Sequence, residues 1–156
     1  MVVLIDGRSA SAAELVAAAL QENGRAIVMG QRSYGKGSVQ SVVPLGADKG
    51  ALRLTTALYH GPSGRTVQGT GVGPDIELII NAPPTAPRLR RETDRTNALP
   101  GGDEPLPPKA RIGQSQCVAA PMKVDPALAC AIAFLNAGGI DSFLVALEPE
   151  ESPSAH

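Results

Sequence analysis

Two short apolar runs, Val2 to Ile5 and Ala26 to Met29, bracket a segment with helical period, and this order constrains the chain more than any other feature it has. Between them Leu15, Val16, Ala19 and Leu20 recur on one helix face from Ser11 to about Asn23, and Gly24 follows as a stop. Two buried strands joined through a helix lie parallel, because only a right-handed crossover packs the helix back onto the sheet. The fold class is therefore α/β.

Further along, Ser38 to Val43 and Ala51 to Tyr59 are β-rich runs joined by Gly46-Ala47-Asp48-Lys49-Gly50, which predicts a hairpin. A loop punctuated by glycine and proline runs from Gly61 to Asp75, and Ile76 to Ile80 predicts a last apolar strand. Seven of the fourteen prolines then fall between Asn81 and Ala110, among few apolar residues. Such a composition buries too little surface to offset chain entropy, so residues 81–123 are predicted to be a proline-rich linker or mobile arm. It separates a domain over residues 1–80 from a helical segment over 124–147. There Asp125-Pro126 supplies an N-cap and a first-turn proline for a helix to about Asn136, which Gly138-Gly139 ends. Leu128, Ile132 and Leu135 mark the face expected to dock on the main domain. Residues 148–156 are expected to be disordered.

A net charge of −1 offers no basic face to nucleic acid, and Arg88-Leu89-Arg90-Arg91 is followed at once by Glu92 and Asp94. No apolar run approaches the roughly 18 residues that span a bilayer, and the N-terminus has no charged, apolar and small-residue succession of an export signal. Two histidines, His60 and His156, rule out a histidine-rich metal site. Cys117 and Cys130 fit no metal spacing, and a pair of buried thiols is expected in preference to a disulfide.

Chemistry concentrates around one serine and one lysine. Ser11 stands at the mouth of the first helix in Gly7-Arg8-Ser9-Ala10-Ser11-Ala12-Ala13-Glu14, and Lys36 sits in the turn Tyr34-Gly35-Lys36-Gly37-Ser38. A serine hydroxyl becomes a nucleophile when an adjacent base takes its proton, and a desolvated lysine serves as that base. Taken by itself, Ser11 with Glu14 spells a capping box, in which serine and glutamate satisfy backbone N–H groups reciprocally. Lys36 between two glycines would by itself be a solvated turn lysine. Gly30 to Lys36 also spells G-x-x-x-x-G-K, but Gly37 stands where magnesium needs Ser or Thr, and a strand is predicted where a phosphate loop needs a helix. His60, beside Gly61-Pro62-Ser63-Gly64, lacks a placed aspartate partner and has a loop role.

The words Ser9-Ala10-Ser11-Ala12-Ala13-Glu14, Leu20-Gln21-Glu22-Asn23-Gly24-Arg25-Ala26, Gly35-Lys36-Gly37-Ser38-Val39-Gln40, Leu54-Thr55-Thr56-Ala57 and Pro62-Ser63-Gly64-Arg65-Thr66-Val67-Gln68-Gly69 resemble, in order, blocks of the C-terminal processing peptidases, or tail-specific proteases. The resemblance runs from Val2 to Ile80. It implies a crotonase-like or Clp-protease-like ββα core, of which this chain resembles the C-terminal part, without the PDZ module that usually precedes it. By resemblance Ser11 is the nucleophile, Lys36 the general base, Gln40 the residue that orients Lys36, the Ala12 N–H one oxyanion donor, and Glu22 a structural acid. Ser9 is then a capping or packing residue. The implied enzyme is a periplasmic serine endopeptidase acting on proteins or peptides with apolar C-terminal tails, with no metal, nucleotide or other cofactor. The alternative is a non-catalytic fragment or pseudo-protease, since the second oxyanion donor of such peptidases is a glycine N–H well before the nucleophile. Exposed strand edges make a homo-oligomer a possible partner state.

Overall fold

The computed structural model describes residues 1–80, 88–117 and 125–147. Its frame is a four-stranded sheet in the order β1-β2-β5-β6, from Val2–Ile5, Ile27–Gly30, Ile76–Ile79 and Ala110–Gly113. Every neighbouring pair is parallel, with Val3 opposite Val28, Met29 opposite Ile76, and Leu78 opposite Ile112. Helix α1 (Ala12–Glu22) forms the β1–β2 crossover as expected, but it buries Glu14, Ala17 and Ala18, while Val16 of the expected apolar face is exposed and Leu15, Ala19 and Leu20 are half-buried. The expected hairpin is present as an antiparallel pair, β3 (Ser38–Pro44) and β4 (Ala51–Leu58), and it stands out from the sheet with β4 exposed along its whole length.

Successive residues of β2 point to opposite faces. Val28 packs with Ile5, Ala17, Ala18, Val67 and Val72 against α1, while Met29 joins Ile76, Leu78 and Ile112 under α2 (Pro126–Ala137) and α3 (Ile140–Leu147). Helices on both faces explain why the strands read as continuous apolar runs. Asp125 caps α2 by accepting from the Ala127 and Leu128 N–H groups, and Gly138 ends it in the left-handed conformation. Among the described residues no single helix is long and apolar enough to cross a membrane.

Three further expectations are corrected. The stretch read as linker carries β6, which Lys109 pins to the sheet: its amine lies 3.0 Å from the buried Asp75 carboxylate, and its N–H donates to the Asp75 carbonyl at 2.7 Å. Asp75 also accepts from the Val28 N–H and the Gln21 amide, so one carboxylate ties α1, β2, β5 and the approach to β6. The parts of that stretch at 81–87 and 118–124 lie outside the described residues, as does the expected disordered tail at 148–156. Secondly, Cys117 and Cys130 form a disulfide, which joins the turn after β6 to α2. Thirdly, α2 docks by the opposite face. Leu128, Ile132 and Leu135 are exposed, whereas Ala129, Cys130, Ala131 and Phe134 are buried, because small side chains let the helix lie close on the sheet. Phe134 meets Phe143 of α3 edge to face, with ring centroids 5.5 Å apart.

Candidate active site

After β1 the chain turns on Asp6, whose Oδ1 accepts from the N–H groups of Arg8 and Ser9 and from the Ser9 hydroxyl, at 2.9–3.0 Å. Ser9 thus packs into a turn and does not cap the helix. The turn delivers Ser11 to the start of α1 at φ 55° and ψ −118°, outside the regions that residues with a β-carbon prefer. Such a conformation costs on the order of 1–3 kcal/mol and persists only when the surroundings impose it.

Glu14 imposes it. Its side chain is fully buried, and each carboxylate oxygen takes two donors. Oε2 accepts from the Ser11 N–H and the Lys36 N–H, both at 2.8 Å; Oε1 accepts from the Gly35 N–H at 2.7 Å and the Ser33 hydroxyl at 2.5 Å. Half of the capping box therefore exists, with glutamate reaching back to Ser11, while the Ser11 hydroxyl makes no capping bond. Four charge-assisted bonds, three from backbone N–H groups and one from the Ser33 hydroxyl, offset the cost of burying the carboxylate and tie the serine turn to the lysine turn.

The lysine turn is gripped from its other side by Gln68, which is also fully buried. Gln68 Oε1 accepts from the Gly37 N–H at 3.0 Å, and the Gly69 N–H donates to the Gly35 carbonyl at 2.7 Å. Gly35 has φ 101°, and a β-carbon there would come within 3.0 Å of the Gly69 backbone, so only glycine fits. The Ser33 hydroxyl, besides donating to Glu14, accepts from the Val72 N–H at 2.7 Å. Beyond Gly37 the chain enters β3 and no helix, so the G-x-x-x-x-G-K segment has no helix N-terminus to offer a phosphate.

Residues 88–102 lie across this turn. Arg91 donates to the Ser33 carbonyl, the Glu92 N–H to the Tyr34 carbonyl, and the Gly102 N–H to the Gln68 carbonyl. Burial and then the repulsion of Arg32 and Arg88 lower the Arg91 guanidinium below its usual range. Burial, then the Glu92 carboxylate, raises the Tyr34 phenol.

The structure brings the backbones of Ser11 and Lys36 onto one carboxylate oxygen. Ser11 and Lys36 are half-buried, and Ala12 is exposed with an N–H that has no acceptor within the helix. Gln40 is exposed on β3 beside a register shift between Val39 and Gln40, opposite Thr55. No hydrogen bond joins the Ser11 hydroxyl, the Lys36 amine and the Gln40 amide among the described residues. Glu22 accepts from the Ser63 N–H at 2.9 Å and fastens the loop of His60, whose Nδ1 lies 2.9 Å from the Gly64 carbonyl. Sequence reasoning missed Ser33, Gln68 and the reach of Glu14; the only signal was the glutamate of the capping box, which gave no hint of the lysine turn.

The sequence signature of peptidase family S41 matches residues 1–78, half of the chain. The chain belongs to peptidase family S41. Within the S41 match fall Ser11, Ala12, Glu14, Ser33, Lys36, Gln40 and Gln68, whereas Arg91 and Glu92 lie beyond it. The chain is 60% identical over 76 residues to the carboxy-terminal-processing protease of Bartonella bacilliformis, covering 49% of this chain and 17% of that protein. To the carboxyl-terminal-processing protease of Picosynechococcus it is 37% identical over 94 residues, 60% of this chain and 22% of that one. The solved photosystem II D1 C-terminal processing protease is 39% identical, with a TM-score of 0.47 over 49% of this chain and 19% of that chain. The chain thus spans less than a quarter of the length of these S41 relatives.

Proposed function

We propose that the chain is the C-terminal part of a crotonase-like or Clp-like catalytic domain and carries the Ser-Lys dyad of a serine endopeptidase. The observation that carries this is the single oxygen of Glu14 shared by the Ser11 and Lys36 N–H groups, which couples the position of a nucleophile to that of a base. Lys36 would take the Ser11 hydroxyl proton as Oγ attacks the scissile carbonyl, then return it to the leaving amine. Gln40 would orient Lys36. The Ala12 N–H, at the positive end of α1, would hold the oxyanion. Water would then hydrolyse the acyl-enzyme by the same proton route in reverse. Membership of S41 and the names of its processing-protease relatives support protein or peptide substrates, and an apolar C-terminal tail is the feature we propose the enzyme recognises. The disulfide supports an oxidising compartment, the periplasm in a bacterium.

The test is covalent labelling with a fluorophosphonate followed by peptide mapping, in the chain alone and joined to the upstream part of an S41 relative. Labelling at Ser11, lost in Lys36→Ala, is the expected result. Labelling that survives Lys36→Ala would refute the base assignment.

A further inference from the structure

One cavity next to the strand that leaves the lysine turn, reached by Ser38 and Gln40, is built largely by residues outside the S41 match. It is a cleft of about 460 Å³ between the base of the hairpin, with Ser38, Gln40 and Thr55, and the segment from Arg90 to Leu99. Glu92 lies in its wall, only 7% exposed, with the Tyr34 phenol beside its carboxylate, and its Oε2 has no hydrogen-bond partner among the described residues. A carboxylate oxygen withdrawn from water without a donor is costly unless something supplies one. The nearest cation is the Arg95 guanidinium, 3.7 Å away, too long for a hydrogen bond and on a side chain that is 59% exposed. Arg95 is therefore a loose counter-ion that can swing out at little cost.

Position as well as chemistry bears on what the cleft can bind. The Glu92 N–H holds the Tyr34 carbonyl, two residues before Lys36, and Gln40 forms the facing wall. A peptide strand crossing the dyad would lay a neighbouring side chain here. Resting on the peptidase function above, we infer that this cleft binds a basic side chain of the substrate, lysine or arginine, whose donor displaces Arg95 and pairs with Glu92 Oε2. Arg90 also lines the cleft. Selection for a basic residue at one internal position would thus accompany recognition of an apolar tail.

The experiment measures binding, so that it stands apart from catalysis. The Ser11→Ala chain, isotopically labelled, is titrated with Ac-Ala-Arg-Ala-NH2 and with the same peptide carrying neutral citrulline, followed by amide shifts. Saturating shifts at Gln40, Thr55 and Thr96 with the arginine peptide, and binding about 10- to 100-fold weaker for citrulline or in Glu92→Gln, are expected from the loss of one hydrogen bond to a charged group. Arg95→Ala should tighten binding, because it removes the competitor. Equal affinity for both peptides, an unchanged affinity in Glu92→Gln, or no tightening in Arg95→Ala would each overturn the subsite. Failure of the dyad would instead appear as absent fluorophosphonate labelling with this binding intact.

Discussion

Glu14→Gln keeps the shape of the side chain but exchanges one acceptor oxygen for an NH2 group. In the native carboxylate each oxygen serves two donors, Ser11 and Lys36 on one side and Ser33 and Gly35 on the other. Whichever way the amide turns, one pair of donors faces another donor in a place that water does not reach. A hydrogen bond to a charged group contributes about 1.5–3 kcal/mol, so two such losses come to about 3 kcal/mol at the low end. Against a total stability of roughly 5–15 kcal/mol for a domain, that is a large fraction. Urea unfolding followed by circular dichroism should show a lowered midpoint with an unchanged slope, since the same surface is exposed. A loss below about 1 kcal/mol, within the reach of a single neutral bond, would refute the idea that this carboxylate fastens the serine turn to the lysine turn.

Four further outcomes are expected. In a form completed with the upstream part of an S41 relative, Ser11→Ala and Lys36→Ala should each abolish peptide cleavage, and the double variant should be no worse than either, because the two act as a unit; additive losses in the steady-state rates would contradict this. Phe143→Ala removes a ring that is 1% exposed and packed edge to face against Phe134, and calorimetry should register a cost of about 3–5 kcal/mol. Replacing Cys117 and Cys130 by serine opens a cross-link between residues 13 apart, and unfolding curves should show a loss of up to about 3 kcal/mol on the chain-entropy account. Tyr34 is protonated more tightly when folded than when unfolded, so its contribution is complete below its ordinary value of about 10 and is lost as the pH climbs through the raised one. The stability of the wild type should therefore fall more steeply in that alkaline range than that of Tyr34→Phe.

The elements legible in the sequence are those whose period declares them. The apolar runs of β1 and β2, the helical spacing of α1, the turn chemistry of the hairpin and the Asp125-Pro126 start of α2 all depend on neighbours within a few residues. What stayed hidden depends on distant partners. Ala110-Arg111-Ile112-Gly113 has one buried apolar residue, and it is a strand because β5 and Asp75 receive it, not because of its own pattern. Large apolar residues predict docking of α2 through Leu128, Ile132 and Leu135, whereas close helix-to-sheet contact selects Ala129, Cys130 and Ala131. The disulfide needed Cys117 and Cys130 to be brought within 5.0 Å at their α-carbons by that docking. At the candidate site the serine and the lysine were legible as types at positions, but the buried glutamate between them was not, because the path of the lysine turn is set by Gly35 and Gln68.

The bonds around the lysine turn also bear on the order of assembly. The hairpin joins residues close in sequence and can close within microseconds, whereas Gly35 is held by Gly69, Gln68 by Gly102, and Asp75 by Lys109. Each of those closures waits for chain that is synthesised later and carries a larger loop entropy. On a ribosome, Lys36 would therefore reach its final place only after the segment through Gly102 has emerged and settled across the turn. A nascent chain would stay chemically silent until then, which pulse labelling of stalled chains with a fluorophosphonate would disprove if Ser11 reacted before Gly102 had left the exit tunnel.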